Sequence, residues 1–285
     1  AVIGLELAPV AANMAGLTGD KIDMVNVAIS MFTLAVGVIG SVAFRGFMSI
    51  IPILFGVVCG YVFAAIMGIV NFQPVIDAPW FQVPHFYAPV FDINAIMIIA
   101  PAALVVLAEH IGHLVVTGNI VDRDLIKDPG LSRSLFADGL SNVISGFAGA
   151  TPNTTYGENI GVMAITKVYS TWVIGGAAVM AIILSFCGKL SELIHSIPVP
   201  VMGGICILLF GVIAASGIRV LVERQVDYSK SSNLVMTSVI MIIGLSGAKL
   251  SFGAFSVQGM VLATVVAIIM SLAFKLFESL HLMNE

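Results

Sequence analysis

Long apolar runs separated by short polar segments dominate the sequence of this chain. A helix needs about 20 apolar residues to cross a bilayer, and the pattern predicts a series of clear spans. They are residues 25–44, 47–70, 93–116, 170–194, 199–222, 233–248 and 260–277. Two weaker runs, 1–17 and 131–150, are rich in Gly, Ala and Ser, which let helices pack closely together. The pattern therefore predicts an all-α polytopic membrane protein.

One further element interrupts this pattern, because residues 151–167 read TPNTTYGENIGVMAITK. Pro152 and the threonines around it disfavour a helix and tolerate an extended strand, whereas the sequence from Gly157 onward can be helical. A helix that starts at membrane depth has unpaired N–H groups and the positive end of its dipole at its start. Secondary transporters use such broken elements to bind substrates near the bilayer midplane. A re-entrant loop closed on neighbouring helices, with Glu158 as its cap, fits the same residues.

Composition narrows the class of protein. Of the 285 residues, 59% are hydrophobic and 10% are charged, whereas soluble domains carry about 25% charged residues. The formal net charge is -4, and no basic run indicates a nucleic-acid partner. The three cysteines lack metal-binding spacing, and the sequence offers no nucleophile–base set and no phosphate-binding loop. We therefore expect no enzymatic activity, no metal site and no cofactor.

The placement of Lys and Arg predicts how the chain is oriented. If the loop with Arg123, Lys127 and Arg133 is cytoplasmic, nine basic residues fall inside and three outside, as the positive-inside rule requires. Ten crossings then leave both ends in the cytoplasm and the aromatic-rich loop 71–92 outside. The chain starts in apolar sequence without an initiating Met, so we expect the natural protein to extend upstream of Ala1.

Two ionisable residues lie near the end of the predicted span 93–116. Glu109 and His113, in LAEHIGHLVVT, are four residues apart and share one helix face, while His110 points about a third of a turn away. Ionisable residues inside a membrane are costly and usually line a cavity or a proton path. A buried pair that only ties two helices together would have the same sequence. Glu6 and Asp138 are weaker candidates, since Asp138 fits a Ser or backbone partner equally well.

Residues 158–167 resemble the signature of the nucleobase–ascorbate family, the nucleobase–cation symporters. That signature is Gln, Glu or Pro, then Asn-x-Gly, four residues, Thr, and Arg, Lys or Gly, and ENIGVMAITK fits it. The stretches LAEHIGHLVVT, DPGLSRSLFADGLS and IPVPVMGG are also similar to the bacterial uracil–proton symporter branch. The resemblance covers essentially the whole chain.

Members of this family have fourteen membrane elements in two inverted repeats, divided into a core and a gate domain. The resemblance implies that this chain holds the last ten elements. Residues 1–92 would be gate elements of the first repeat with an extracellular loop, 93–196 the core with the substrate site, and 197–285 the gate part of the second repeat. A strand from the four upstream elements would pair with residues 151–156.

The resemblance also implies a substrate site. Glu109 and Glu158 would hydrogen-bond a pyrimidine, and the backbone amides of Tyr156 and Gly157 would meet one of its carbonyl oxygens. His113 would bond to Glu109 and support its cycle of protonation.

The function implied by the resemblance is proton-coupled uptake of uracil across the bacterial inner membrane. Glu158 favours uracil-like substrates over xanthine or urate, but Phe210 stands where the uracil branch tends to have Tyr, so a polar handle on the gate side is lost. The first alternative is the same machinery carrying xanthine or another nucleobase. The second is an anion carrier or channel of the same fold, which has no use for a carboxylate such as Glu109. A nucleobase, protons and the lipid bilayer are the implied partners, and a homodimer is left open.

Overall fold

The computed structural model describes residues 1–19, 22–100, 102–252 and 255–283, and helices make up most of it. The helices are α1 (Val2–Glu6), α2 (Ala8–Met14), α3 (Met24–Ala43), α4 (Pro52–Ile66), α5 (Gln73–Asp77), α6 (Ile93–Ile99), α7 (Ala102–Val121), α8 (Leu131–Ala148), α9 (Gly157–Thr166), α10 (Thr171–Ser185), α11 (Gly188–His195), α12 (Val199–Glu223), α13 (Ser231–Leu245) and α14 (Gly259–Ser279). Strands β1 (Lys249–Phe252) and β2 (Phe255–Gln258) form an antiparallel hairpin. The predicted fold class, a helical membrane protein, is confirmed.

Length decides which helices can cross a bilayer on their own. Within the described ranges, α3, α7, α12 and α14 are long and apolar enough, and α10 with α11 makes a fifth candidate that is bent by 88°. Helices α4 and α13 have 15 residues each, so each is about 22 Å long against a hydrocarbon core of about 30 Å. The structure therefore contains several membrane-spanning helices, while the count of ten crossings stays a prediction.

Two of the predicted spans are not single helices. The span 93–116 contains two helices, since α6 ends at Ile99 and α7 begins at Ala102. The span 170–194 breaks between α10 and α11. At this bend Lys189 donates hydrogen bonds to the carbonyl oxygens of Val75 and Ile76, at 3.1 and 2.9 Å, and its ammonium lies 5.5 Å from the Trp80 ring. At the break, the chain therefore contacts the distant loop 71–92. The local apolar pattern gives no information about these contacts.

The sequence pattern assigned no element to residues 249–259, between the predicted spans 233–248 and 260–277, and the structure places the hairpin of β1 and β2 there. Lys249 pairs with Gln258 and Leu250 with Val257. The local signal is present, because KLSFGAFSVQ is two short alternating runs around Gly-Ala. Long apolar runs on both sides concealed it.

The structure divides into two compact units, and unit 1 comprises residues 1–12, 91–106 and 206–285. Helix α1 packs closely here, because a Cβ at Gly4 would overlap the Phe210 carbonyl oxygen of α12. The Glu6 carboxylate accepts a hydrogen bond from the Met260 backbone N–H at 2.9 Å. Glu6 therefore caps the start of α14, a structural role for one of the weaker candidates.

Unit 2 comprises residues 13–90 and 107–205. Its hydrophobic core contains Ile29, Ala64 and Val201, contributed by α3, α4 and the start of α12. Glycines let these helices approach each other, since a Cβ at Gly60 would overlap the Thr33 side chain. The predicted division into gate and core segments at residues 92 and 196 stays a prediction.

Large apolar side chains cover the outer faces of many helices. Trp172 is 90% exposed, Val42 84% and Ile66 76%. Soluble proteins rarely expose large contiguous apolar surfaces, whereas a bilayer solvates them. The exposed faces fit the membrane assignment made from helix length.

Candidate functional site

Glu109 and His113 lie on one face of α7, as their spacing predicts. The His113 Nε2 atom is 4.0 Å from the Glu109 Oε1 atom, and the two side chains are 21% and 33% exposed, respectively. That distance exceeds the length of a hydrogen bond. The pair is adjacent, but in this structure the expected direct bond between Glu109 and His113 is not formed.

The hydrogen bond that orients His113 comes instead from Thr155, a residue that the sequence analysis did not select. The His113 Nδ1 atom and the Thr155 Oγ1 atom are 2.8 Å apart. A threonine hydroxyl can either donate or accept a hydrogen bond. Thr155 can therefore stabilise His113 with the proton on either ring nitrogen, which leaves Nε2 free to present a proton or a lone pair to Glu109.

Helix α9 begins at Gly157, where the sequence predicts it. Tyr156 precedes it with an extended backbone (φ -102°, ψ 124°), and its side chain does not cap the helix. A Cβ at residue 157 would lie 3.2 Å from the His113 Nε2 atom, so glycine lets the helix start close to the imidazole ring. Glu158 lies in the first turn, but its side chain is outside the described residues. Its role as substrate ligand or cap stays a prediction.

Residues 151–156 approach α9 without regular secondary structure. In the described part of the chain both strands belong to the hairpin of β1 and β2, and neither pairs with this segment. Side chains of α8 hold it instead, since the Asn142 amide bonds to both backbone polar groups of Asn153. The polar face of α8 thus binds this segment. None of the residues of α8 is buried.

His110 is the most buried polar side chain near the site, at 4% exposure. Its Nε2 atom is 2.7 Å from the Ser134 Oγ atom, which ties α7 to α8. Its Nδ1 atom has no hydrogen-bond partner within the described ranges. His110 therefore braces the helix that presents Glu109 and His113.

A cavity of about 730 Å³ opens beside the start of α9, a size typical of small-molecule sites. Its lining comes from α7, Ser134 of α8, the segment before α9, α9 itself, Val168 and α10. The residues are His110, His113, Leu114, Thr117, Ser134, Thr155, Tyr156, Asn159, Ile160, Val162, Met163, Thr166, Val168, Val173, Ile174 and Ala177. Most of this surface is apolar, and the hydrogen-bonded pair of His113 and Thr155 is part of the lining.

The remaining candidates lie elsewhere. Phe210 is half-buried on α12 in unit 1, whereas Glu109, His113, Tyr156 and Gly157 all belong to unit 2. Asp138 is half-buried on α8, and its backbone carbonyl accepts hydrogen bonds from Ser141 and Asn142. A search of the described residues finds no group of His, Cys, Asp or Glu that could hold a metal ion.

The end of α9 accounts for the last position of the signature. Lys167 caps the helix in the left-handed conformation (φ 56°, ψ 26°), and its N–H donates to the Met163 carbonyl at 2.9 Å. A residue with a Cβ is strained there, whereas glycine is not. This explains why the signature admits Gly beside Lys and Arg. The structure offers no comparable reason for Gly161, because within the described residues nothing lies within 4 Å of its Cβ position.

We expect Lys167→Gly to preserve the fold and to stabilise it by up to about 1 kcal/mol, by relieving left-handed strain. Thermal unfolding in detergent measures the effect. Lys189→Gly is the matched control, because Lys189 lies inside α11 and makes two hydrogen bonds through its ammonium group. That variant should be destabilised. A lower melting temperature for Lys167→Gly would show that its side chain matters more than its backbone strain.

Comparison with known proteins identifies the family. Residues 1–253 match a family described as the permease family. The chain belongs to this family. It is 64% identical to the uracil permease of Escherichia coli (strain K12) over 284 residues, which cover 99% of the chain and 66% of the relative. It is 60% identical to the uracil permease of Paenibacillus larvae, covering 100% of the chain and 69% of the relative. The uracil permease of Bacillus subtilis is 46% identical, covering 95% and 65%.

These relatives are named permeases, which are transporters and not enzymes. Together with the long apolar helices, the family makes this chain part of a multi-pass membrane protein. The chain spans 66% of the length of the Escherichia coli relative.

Proposed function

We propose that the protein containing this chain takes up uracil, or a closely related nucleobase, by proton-coupled symport. The observation that carries the proposal is the series of adjacent side chains Glu109, His113 and Thr155. It connects α7 to the segment that precedes α9. Ionisable groups at membrane depth are characteristic of proton relays. The names of the relatives support uracil as the substrate.

In this proposal Glu109 carries the coupling proton and His113 supports it. When Glu109 is ionised, the His113 Nε2–H faces the carboxylate and Nδ1 accepts a bond from the Thr155 hydroxyl. When Glu109 is protonated, Nε2 faces it with a lone pair and Nδ1–H donates to Thr155. Thr155 accommodates both arrangements because its hydroxyl has one donor and two acceptor positions. Loss of the proton from Glu109 to the cytoplasm then favours release of the substrate.

The substrate side of the proposal uses complementary hydrogen-bonding groups. Uracil has neighbouring N–H and C=O groups. The amides of Tyr156 and Gly157, at the start of a helix without a side-chain cap from Tyr156, suit a carbonyl oxygen. The carboxyl groups of Glu109 and Glu158 suit the N–H groups. Phe210 would contribute an apolar ring from the gate side, where it offers no hydroxyl.

The proposal includes a location. Basic residues concentrate in loops on one side of the predicted topology, so the positive-inside rule favours an inner-membrane protein with both ends of this chain in the cytoplasm. The core would rock against the gate to expose the site alternately to each side. The proposal also includes a homodimer. The mass of the purified protein in detergent tests this.

Uptake of labelled uracil tests the function directly. Because the chain spans 66% of its Escherichia coli relative, the assay uses a chimera in which the chain replaces the matching region of that permease. Cells lacking their own uracil transport express the chimera, with and without a protonophore. Unlabelled uracil, xanthine and thymine are the competitors.

The competitors separate the possible outcomes. Protonophore-sensitive uptake that only unlabelled uracil blocks supports the proposal and makes Phe210 a neutral variation. Block by xanthine as well would mean a broader nucleobase carrier. Uptake that ignores the protonophore would overturn proton coupling, and no uptake of any nucleobase would overturn the proposed function.

Thr155→Val is expected to slow uracil uptake about threefold to tenfold, because His113 loses the partner of its Nδ1 atom. The range corresponds to the loss of one hydrogen bond worth about 1 kcal/mol. Initial rates of labelled-uracil uptake in cells expressing the chimera measure this loss.

Thr154→Val is the matched control for this variant. Thr154 is the preceding residue, the substitution has the same shape, and its buried Oγ1 atom has no hydrogen-bond partner in the described part of the chain. Removing an unsatisfied hydroxyl should leave uptake nearly unchanged. Equal losses in both variants would mean that the segment tolerates no change and that Thr155 has no special role.

A further inference from the structure

A cluster of polar side chains joins α8 by hydrogen bonds to the irregular segment that leads into α9. Its members are Ser141, Asn142 and Ser145 on the helix and Asn153 on the segment. Asn142 Oδ1 accepts a hydrogen bond from the Asn153 backbone N–H at 2.8 Å, and Asn142 Nδ2 donates to the Asn153 carbonyl at 2.9 Å. The Asn142 Nδ2 group also donates to the Asp138 carbonyl of α8 at 3.0 Å. One side-chain amide thus binds both backbone groups of a single residue.

This pairing has the form of a β-ladder rung. In a hydrogen-bonded pair of antiparallel strands, two residues exchange both N–H···O=C bonds. The amide of Asn142 supplies the same donor and acceptor from a helix. Its orientation is fixed by the network, because a flipped amide would put an NH₂ group against an N–H and an oxygen against a carbonyl.

The side chain of Asn153 is also hydrogen-bonded to α8. Its Oδ1 atom lies 2.9 Å from Ser141 Oγ and shares the single proton of that hydroxyl with the Asp138 carbonyl, and its Nδ2 atom donates to Ser145 Oγ at 3.1 Å. The backbone N–H, the backbone carbonyl and both ends of the side-chain amide of Asn153 are therefore all bonded to α8. The Asn side chain at residue 142 places a donor and an acceptor on two separate atoms, which an ionised Asp of the same length does not.

We propose that Asn142 and Asn153 are positioning residues for transport, and we call their paired amides the α8 clasp. The proposal rests on the proposed function. Asn153 stands two residues before Thr155, which bonds to His113, and four before Gly157, where α9 begins. The α8 clasp fixes where the Thr155 hydroxyl and the first amides of α9 stand relative to α7. It acts through these groups and does not itself touch the substrate.

Two substitutions at residue 142 remove different hydrogen bonds of the α8 clasp. Asn142→Asp keeps the size and the acceptor for the Asn153 N–H, but its carboxylate would face the carbonyl oxygens of Asn153 and Asp138 without a donor. Asn142→Ala removes both bonds. Ser141→Ala is the control within the cluster, because it removes the Ser141 bonds to the Asn153 side chain and to the Asp138 carbonyl but neither bond between Asn142 and the Asn153 backbone.

Hydrogen exchange of the purified chimera tests the α8 clasp independently of transport. In Asn142→Ala, which loses the acceptor, the Asn153 amide should exchange about tenfold faster, with the change confined to residues 151–157. Asn142→Asp, which keeps the acceptor, and Ser141→Ala should change it less than about threefold. Unchanged exchange in Asn142→Ala would overturn the α8 clasp. Faster exchange throughout α8 would mean that Asn142 only stabilises its own helix.

Uptake kinetics test the positioning role. We expect both Asn142 variants to raise the KM for uracil about tenfold, with a smaller fall in maximal rate and a normal amount of protein in the membrane. Faster exchange with an unchanged KM would overturn the positioning role. If the unsubstituted chimera carries no nucleobase, the proposed function fails, while the exchange experiment still decides whether the α8 clasp holds the segment.

Discussion

Glu109→Gln is expected to abolish proton-driven accumulation of uracil while the exchange of labelled for unlabelled uracil continues. Glutamine has the size of a protonated glutamate and can still hydrogen-bond a base, but it cannot release a proton. One proton moving through about 100 mV releases about 2.3 kcal/mol, enough for about fiftyfold accumulation. The variant should therefore equilibrate uracil at a concentration ratio of about one. Accumulation and exchange of labelled uracil in cells expressing the chimera measure both properties.

Glu223→Gln is the matched control. Glu223 lies near the end of α12, its side chain is 57% exposed, and it pairs with Arg219 at 2.9 Å. Exposed ion pairs contribute little to stability, so this variant should accumulate uracil normally. Continued accumulation by Glu109→Gln would remove Glu109 from the coupling mechanism. A parallel loss in Glu223→Gln would indicate a general effect of removing a negative charge.

The sequence predicts the helices of this protein well because each is an apolar run that needs no distant partner to be identified. It also predicts the start of α9 at Gly157, since Pro152 and the threonines before it oppose a helix. It fails at the bend between α10 and α11. The contacts there join Lys189 to the carbonyls of Val75 and Ile76, more than one hundred residues away. An apolar pattern within one window contains no information about such contacts.

The sequence predicts some residues of the candidate site and misses others. Glu109 and His113 stand out because ionisable residues are costly in apolar sequence, and their common face follows from helical spacing. Thr155 and Asn142 do not stand out, since Thr and Asn are unremarkable in a polar segment and on a small-residue helix. Their roles depend on which hydrogen-bonding groups the fold brings within 3 Å of them. Single-residue chemistry can be read from sequence here, whereas pairing between segments requires the structure.

Gly204→Ala is expected to destabilise unit 2 by at least about 2 kcal/mol, because the added methyl group would meet backbone atoms of α3. A Cβ at residue 204 would overlap the carbonyl oxygen of Ser30 on α3 and lie 3.1 Å from the Cβ of Thr33. Overfilling a packed core costs about 1–3 kcal/mol, and more where the obstacle cannot move. The melting temperature of the purified chimera should fall by about 5 °C or more. Thermal unfolding followed by size-exclusion chromatography measures this loss.

Ser30 cannot readily move away from the added methyl group. It is fully buried, and its hydroxyl donates to the Ala15 carbonyl at 2.8 Å, so a shift of α3 would break a buried hydrogen bond as well. Gly211→Ala is the matched control on the same helix, because no atom of the described residues lies within 4 Å of its Cβ position. Alanine is favoured over glycine in a helix by about 1 kcal/mol, so that variant should melt at an equal or higher temperature. If both variants melt alike, α3 and α12 are held together by their apolar side chains, and the close backbone approach at Gly204 is not needed for stability.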